Sequence, residues 1–167
     1  LQEGQDMKTS TLGTTGASVS EMCLGAMHIG SNTPADTSTR ILDAYVKAGG
    51  TFIDTANIYN RDAPGCSGGD SERFIGSWLK KRGNRQDLFI ATKVGMHYPE
   101  QPEGLRADQI AEECDRSLQR LGIDTIDLYY AHLDDRNTPL EESLAAFDRL
   151  VKSGKVRFIG ASNYYPT

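Results

Sequence analysis

Four side chains that together could deliver a proton to a carbonyl oxygen stand at or near the ends of apolar runs. Thr51-Phe52-Ile53 ends in Asp54, with Tyr59 five residues on. Leu88-Phe89-Ile90-Ala91-Thr92 ends in Lys93, and Ile126-Asp127-Leu128-Tyr129-Tyr130-Ala131 ends in His132. A phenol is a weak acid with a pKa near ~10, and burial raises it further. An ammonium group favours the phenolate: at ~4 Å and an effective dielectric of ~20 the attraction is about 4 kcal/mol, or up to ~3 pK units. Asp54 would neutralise part of that charge, so the expected net effect is modest and Asp54 serves mainly to hold and charge Lys93. His132 can hydrogen-bond a carbonyl oxygen and relay a proton. Another run, Val156 to Ala161, ends in Ser162-Asn163, whose donors and acceptors suit a carboxamide. Reducing a carbonyl also needs a hydride, which no side chain supplies, so this chemistry requires a cofactor.

These residues are far apart in sequence, and only a repeating fold brings them together. Lys8–Leu12 and Ser18–Ser20 flank a Gly13-Thr14-Thr15-Gly16 turn, which predicts an N-terminal hairpin. Met22–Gly25 reads as a short strand. Later strands start near 51, 88, 126 and 156, with a helical pattern before each. The first helix opens at Pro34 and Asp36, repeats Ile41, Leu42, Tyr45 and Val46 at helical spacing, and stops at Gly49-Gly50. The second starts near Asp70-Ser71, buries Phe74, Ile75, Trp78 and Leu79, and ends at Gly83. The third places Ile110, Cys114, Leu118 and Leu121 together and stops at Gly122. The fourth has Thr138 as cap, Pro139 in the first turn, Glu141 reaching back, and Leu144, Phe147 and Val151 inward. Alternating strands and helices with short connections predict an α/β fold with a parallel sheet and right-handed crossovers. In such folds the strand ends share one face, where sites are built.

Two parallel architectures compete. Gly25-Ala26-Met27-His28-Ile29-Gly30 does not fit the dinucleotide glycine fingerprint, and Gly65-Cys66-Ser67-Gly68-Gly69 lacks the Lys-Ser/Thr of a phosphate loop and reads as an ordinary loop. A barrel of βα units remains. The 167 residues suit one domain, and the net charge of −5 without a basic run argues against nucleic acid and anionic membranes as partners. No apolar stretch approaches the ~20 residues of a membrane span. No secretion leader is visible, and three scattered cysteines, Cys23, Cys66 and Cys114, suggest free thiols in a cytoplasmic protein with neither a disulfide framework nor a zinc site. Residues 1–6, ahead of Met7, read as an expression remnant outside the fold. His28 and His97 read as loop residues, with His97-Tyr98 able to line a substrate mouth. Trp78 reads as core, and Asp134-Asp135-Arg136 as a solvated loop.

The motifs Phe52-Ile53-Asp54-Thr55-Ala56-x-x-Tyr59, Gly69-x-Ser71-Glu72, Ala91-Thr92-Lys93, Asp127 to His132 and Gly160-Ala161-Ser162-Asn163 resemble, in this order, those of the aldo-keto reductases. The resemblance implies a (β/α)8 TIM barrel, of which residues 7–167 would form about the first five βα units plus an N-terminal β-hairpin. It implies a catalytic tetrad of Asp54, Tyr59, Lys93 and His132. It places Ser162 and Asn163 on the nicotinamide amide, and Gly25, Ala26, Met27 and Asp54 beside an NADPH cofactor, with no metal. The implied reaction is reduction of a small-molecule aldehyde or ketone to an alcohol. NADPH rather than NADH rests on the resemblance alone. A cofactor-binding regulatory subunit with little turnover, and an inert fragment of a reductase, stay open as alternatives. A closed barrel takes ~250 residues, so further units are expected in a longer protein, including those that grip the cofactor's phosphates.

Overall fold

In the computed structural model, which describes residues 7–164, the chain begins with the expected hairpin. Strands β1 (Thr9–Thr11) and β2 (Ser18–Ser20) pair antiparallel. The turn between them closes when Leu12 N donates to Ala17 O at 2.8 Å. Residues 1–6, read above as a remnant, and residues 165–167 lie outside the described residues.

Five strands then form one parallel sheet in sequence order: β3 (Cys23–Gly25), β4 (Phe52–Asp54), β5 (Phe89–Val94), β6 (Ile126–Ala131) and β7 (Val156–Ala161). Helices α1 (Ala35–Lys47), α2 (Asp70–Arg82), α3 (Ala107–Leu121) and α4 (Leu140–Lys152) connect successive strands. This is an α/β fold matching part of a (β/α)8 barrel. Left-handed glycines at Gly83 and Gly122 end α2 and α3, a conformation that costs glycine little.

Two apolar cores flank the sheet. Between sheet and helices, Ile53, Ile90, Val94 and Tyr129 pack with Leu42, Ile75, Trp78, Ile110, Leu121 and Phe147. On the other face, Phe52, Phe89, Ala91 and Leu128 are covered at one end by Val19 of the hairpin, with Leu12 and Ala17 beside it. Asp127, almost fully buried, anchors that end by accepting from Arg85 and Arg157, both at 2.6 Å. The hairpin thus closes one mouth of the curved sheet and leaves the strand C-termini at the other.

Several sequence expectations need correction. Ile41 is 37% exposed on α1, while Ser38 and Leu42 are buried. Leu144 (48%) and Val151 (37%) of α4 are also exposed; Phe147 faces inward as expected, joined by Ser143, Ala146 and Leu150. Amphipathic spacing marks an apolar stripe wider than the face one neighbour covers. Thr138 does not cap α4. The N-cap is Pro139, with no side-chain hydrogen bond. Asp135 is itself more than a solvated loop residue, since its carboxylate accepts from Leu105 N at 2.7 Å and Asn137 N at 2.9 Å.

Candidate active site

The parallel register carries Asp54, Lys93 and His132 to one rim. Asp54 is the last residue of β4 and pairs with Gly25 on one side and Ala91 on the other. Lys93 lies one residue before the end of β5, beside Tyr130. His132 follows β6, and its N–H donates to Val94 O at 2.8 Å, prolonging the ladder by one rung.

Lys93 is 7% exposed and uses its whole donor set. Its Nζ donates to Asp54 Oδ2 at 2.5 Å, Thr55 O at 2.8 Å and Tyr59 Oη at 2.8 Å. An ammonium has three donors and no acceptor, so this geometry leaves no donor free and fixes its direction. Because Lys93 donates to the phenol oxygen, the Tyr59 O–H is left to donate elsewhere. The Tyr59 and His132 rings meet edge-to-face with centroids 6.0 Å apart.

Burial drives the titration of the neighbouring groups. His132 is pushed down to about 4, chiefly by burial, with Lys93 and Arg61 adding repulsion. At neutral pH it is an uncharged imidazole, and its buried Nδ1 has no partner among the described residues. Burial raises Asp54, and the Lys93 ammonium opposes that rise. The pair remains an ion pair that is only partly desolvated, with 23% of the Asp54 side chain exposed.

Tyr59 and His132 open into a cavity of about 430 Å³ that Met27, His28, Arg61 and Met96 also line. That size and its mixture of apolar walls with a few polar groups suit a small organic molecule. Tyr98 does not reach the cavity, contrary to the sequence expectation for His97-Tyr98. It is fully buried behind the Tyr59 turn, and the His97 carbonyl accepts from Arg61. His28, expected to be a plain loop residue, lies on the cavity wall, with its Nδ1 3.2 Å from Asn32 Nδ2.

The remaining predicted residues occupy the same rim. Gly25 is exposed, and a Cβ built on it would meet nothing within 4 Å. Ala26 places only its backbone at the rim: its N donates to Asp54 O at 2.8 Å, and its methyl is buried. Met27 is 49% exposed. Ser162 N donates to Ala131 O at 2.9 Å. Asn163, with φ of 59°, donates Nδ2 to His132 O at 2.8 Å and to Ser162 Oγ at 3.2 Å.

Sequence reasoning missed the scaffold behind these groups. Ser71, at the start of α2, donates to Ala26 O at 2.7 Å and accepts from Thr55 Oγ1 at 2.9 Å, tying two strand ends together. Its neighbour Glu72 accepts from Thr92 Oγ1 at 2.6 Å and Arg120 Nε at 2.6 Å. The Gly69-x-Ser71-Glu72 motif held this signal, but its partners come from β5 and α3.

The fold is an α/β half-barrel with a Lys-centred polar cluster at its strand ends. The aldo/keto reductase family model matches residues 21–167, and the chain belongs to that family. It is 42% identical over 155 residues to the aldo-keto reductase str7 of Strobilurus tenacellus, covering 86% of this chain and 42% of that protein. It is 35% identical over 146 residues to the Schizosaccharomyces pombe aldo-keto reductase yakc [NADP(+)], covering 84% of this chain and 40% of that protein. Its structure superposes on the holo form of the aldo-keto reductase AKR11C1 from Bacillus halodurans with a TM-score of 0.83 at 36% identity, over 96% of this chain and 51% of that one. The chain thus spans about half the length, or somewhat less, of the relatives it matches. Among the described residues no helix is long and apolar enough to cross a membrane.

Proposed function

We propose that the intact protein reduces a small-molecule aldehyde or ketone to an alcohol, with NADPH as hydride donor and Tyr59 as general acid. One observation carries this reading: the Tyr59 phenol, facing a cavity, is held at 2.8 Å by a lysine that is itself fixed by Asp54. The cofactor fits the residues present. The rim above Gly25 is open, and Ser162 and Asn163 keep oxygens able to bond a carboxamide. NADP is the cofactor that the name of the fission-yeast relative carries. When bound, it supplies the hydride.

The chain's own residues supply the rest. Tyr59 donates its O–H to the carbonyl oxygen and, as the oxygen gains electrons, passes it the proton. Lys93 stabilises the resulting phenolate through the N–H already directed at Oη, a contact that strengthens as charge develops. Asp54 and the Thr55 carbonyl hold Lys93 in that direction. Neutral His132, edge-on to Tyr59, offers the same carbonyl oxygen a hydrogen bond without adding a competing positive charge. In this reading Gly25, Ala26, Met27 and Asp54 form the near wall of the cofactor site, and further βα units of the intact protein complete it. A cytoplasmic location accords with the unpaired cysteines.

The test is the Tyr59→Phe variant of the intact protein, assayed with NADPH and a reactive aldehyde. Turnover should fall by roughly 10²-fold or more, the usual worth of a general acid, while NADPH affinity stays unchanged. Undiminished turnover would remove Tyr59 from the acid role. Tight NADPH binding with negligible wild-type turnover on many carbonyls would favour a regulatory subunit instead.

A further inference from the structure

A fully buried acid stands behind the Tyr59 turn and takes no part in the proposed chemistry. Glu113, on α3, has no exposed surface. Its Oε2 accepts from Asn57 Nδ2 at 2.7 Å and from the Tyr98 hydroxyl at 2.8 Å. Its Oε1 accepts from the same hydroxyl at 2.9 Å and from Arg116 Nη1 at 2.9 Å. Arg120 Nη2 lies 3.8 Å from Oε2 and links this acid to Glu72, the other wholly buried carboxylate of the cluster.

Desolvating a carboxylate is expensive, and apolar replacements of buried ion pairs are often as stable or more so. Stability alone therefore does not account for this arrangement. Its geometry does, because both neutral donors to Glu113 belong to the walls of the Tyr59 turn. Asn57 is two residues before Tyr59, and its N–H donates to Lys93 O at 3.3 Å. Its Oδ1 has no partner among the described residues, so Glu113 alone sets the direction of the amide. Tyr98 forms one buried apolar cluster with Ala56 and Ile58, and Tyr59 and Met96 pack against that cluster. Burial and the hydrogen bond to Glu113 push the Tyr98 phenol up to about 12, so it remains a protonated donor.

We propose that Glu113 is a positioning residue: acting through Asn57 and Tyr98, it fixes the turn of residues 56–60 so that the Tyr59 phenol stays against Lys93 and faces the substrate. The proposal rests on the reductase reading. Its logic is that buried, fully bonded polar networks select one geometry, and that a small misplacement of a reacting group costs rate rather than affinity.

The test uses the full-length protein with NADPH, a reactive aldehyde and ring-labelled tyrosine. Glu113→Gln keeps the size of the side chain but removes its charge and one acceptor. It should lower kcat about 10- to 100-fold, leave the Kd for NADPH unchanged, and move the Tyr59 13Cζ resonance, which senses the adjacent ammonium. Where the wild type turns over, a folded variant with unchanged kcat, an unmoved resonance, or a parallel loss of NADPH affinity overturns the proposal. If Glu113→Gln does not fold, Asn57→Ala cuts the same link and carries the same expectations and the same overturning results. If the wild type shows no turnover, the reductase reading fails by itself. The Tyr59 resonance then decides the positioning claim: a shift in the variant supports it and no shift overturns it.

Discussion

At the scale of single residues, a lysine that donates three hydrogen bonds joins Asp54, the Thr55 carbonyl and Tyr59 into one unit. The arrangement tolerates the burial of charge because every donor is used. His132 meets burial differently, by remaining neutral. This has a consequence for stability. Its folded pKa of about 4 lies below the ordinary value of 6.5, so the unfolded chain takes up the proton first as pH falls. The native state therefore loses stability as pH drops from about 6.5 towards 4, by up to about 3 kcal/mol and less once solvent screening is allowed for. Urea unfolding of wild type and His132→Gln at pH 7.5 and pH 4.5 checks this. The variant should show the weaker pH dependence, and equal slopes would mean that His132 is not depressed. Asp54, Lys93 and His132 were legible in the sequence as polar groups each ending an apolar run, with Tyr59 five residues past the first of them. Asn57 was not legible: it fell at a position the motif leaves open between Ala56 and Tyr59, and its partner Glu113 is over fifty residues away.

At the scale of elements, the site depends on how α2 and α3 press on the sheet. The N-terminal turn of α2 reaches three strand ends, through Ser71 to Ala26 and Thr55 and through Glu72 to Thr92. That reach requires close contact between the helices. A Cβ on Gly76 of α2 would lie 2.5 Å from the Arg120 carbonyl oxygen and 2.7 Å from that of Leu121. Gly76→Ala gains roughly 1 kcal/mol of helix propensity but must displace backbone rather than a flexible side chain, at a cost of about 2–3 kcal/mol, the upper part of the usual overpacking range. A net loss of stability of about 1–2 kcal/mol is expected in urea or thermal unfolding. A neutral or stabilising result would show that the two helices can part. Helix positions were readable from period and glycine stops, and the inward faces of α2 and α3 were read correctly. Those of α1 and α4 were partly misread, because periodicity records which residues are apolar and not which neighbour covers them.

At the scale of the whole molecule, the parallel sheet has two edges, and the β7 edge carries an apolar groove. Leu140, Leu144, Ile159 and Tyr164 are exposed there, beside Phe147. Contiguous apolar surface of this kind marks an interface, and an unpaired strand edge invites pairing. In the proposed intact barrel the next βα unit covers it. Residues 1–167 produced alone should therefore bind a hydrophobic dye such as anilinonaphthalene sulfonate more strongly per mole than the full-length protein, and Ile159→Lys should reduce that binding. Equal dye binding by the two proteins would argue that the groove is not covered by later units. The order and direction of the strands were legible because strand and helix patterns alternate at a steady spacing. The hairpin's role as a plug beneath Phe52 and Phe89 was not, since its residues read only as a turn between two short strands.

Local chemistry thus determined where strands and helices begin, and that Asp54, Tyr59, Lys93 and His132 sit near strand ends, because apolar runs and glycine stops are properties of neighbouring residues. Only the packed molecule decided that Lys93 joins Tyr59 to Asp54, that Tyr98 turns inward to Glu113, and that α4 leaves one apolar flank uncovered. Those outcomes depend on distances between segments dozens of residues apart. Such distances are set by which helix presses on which strand, and a linear pattern of side chains does not contain them.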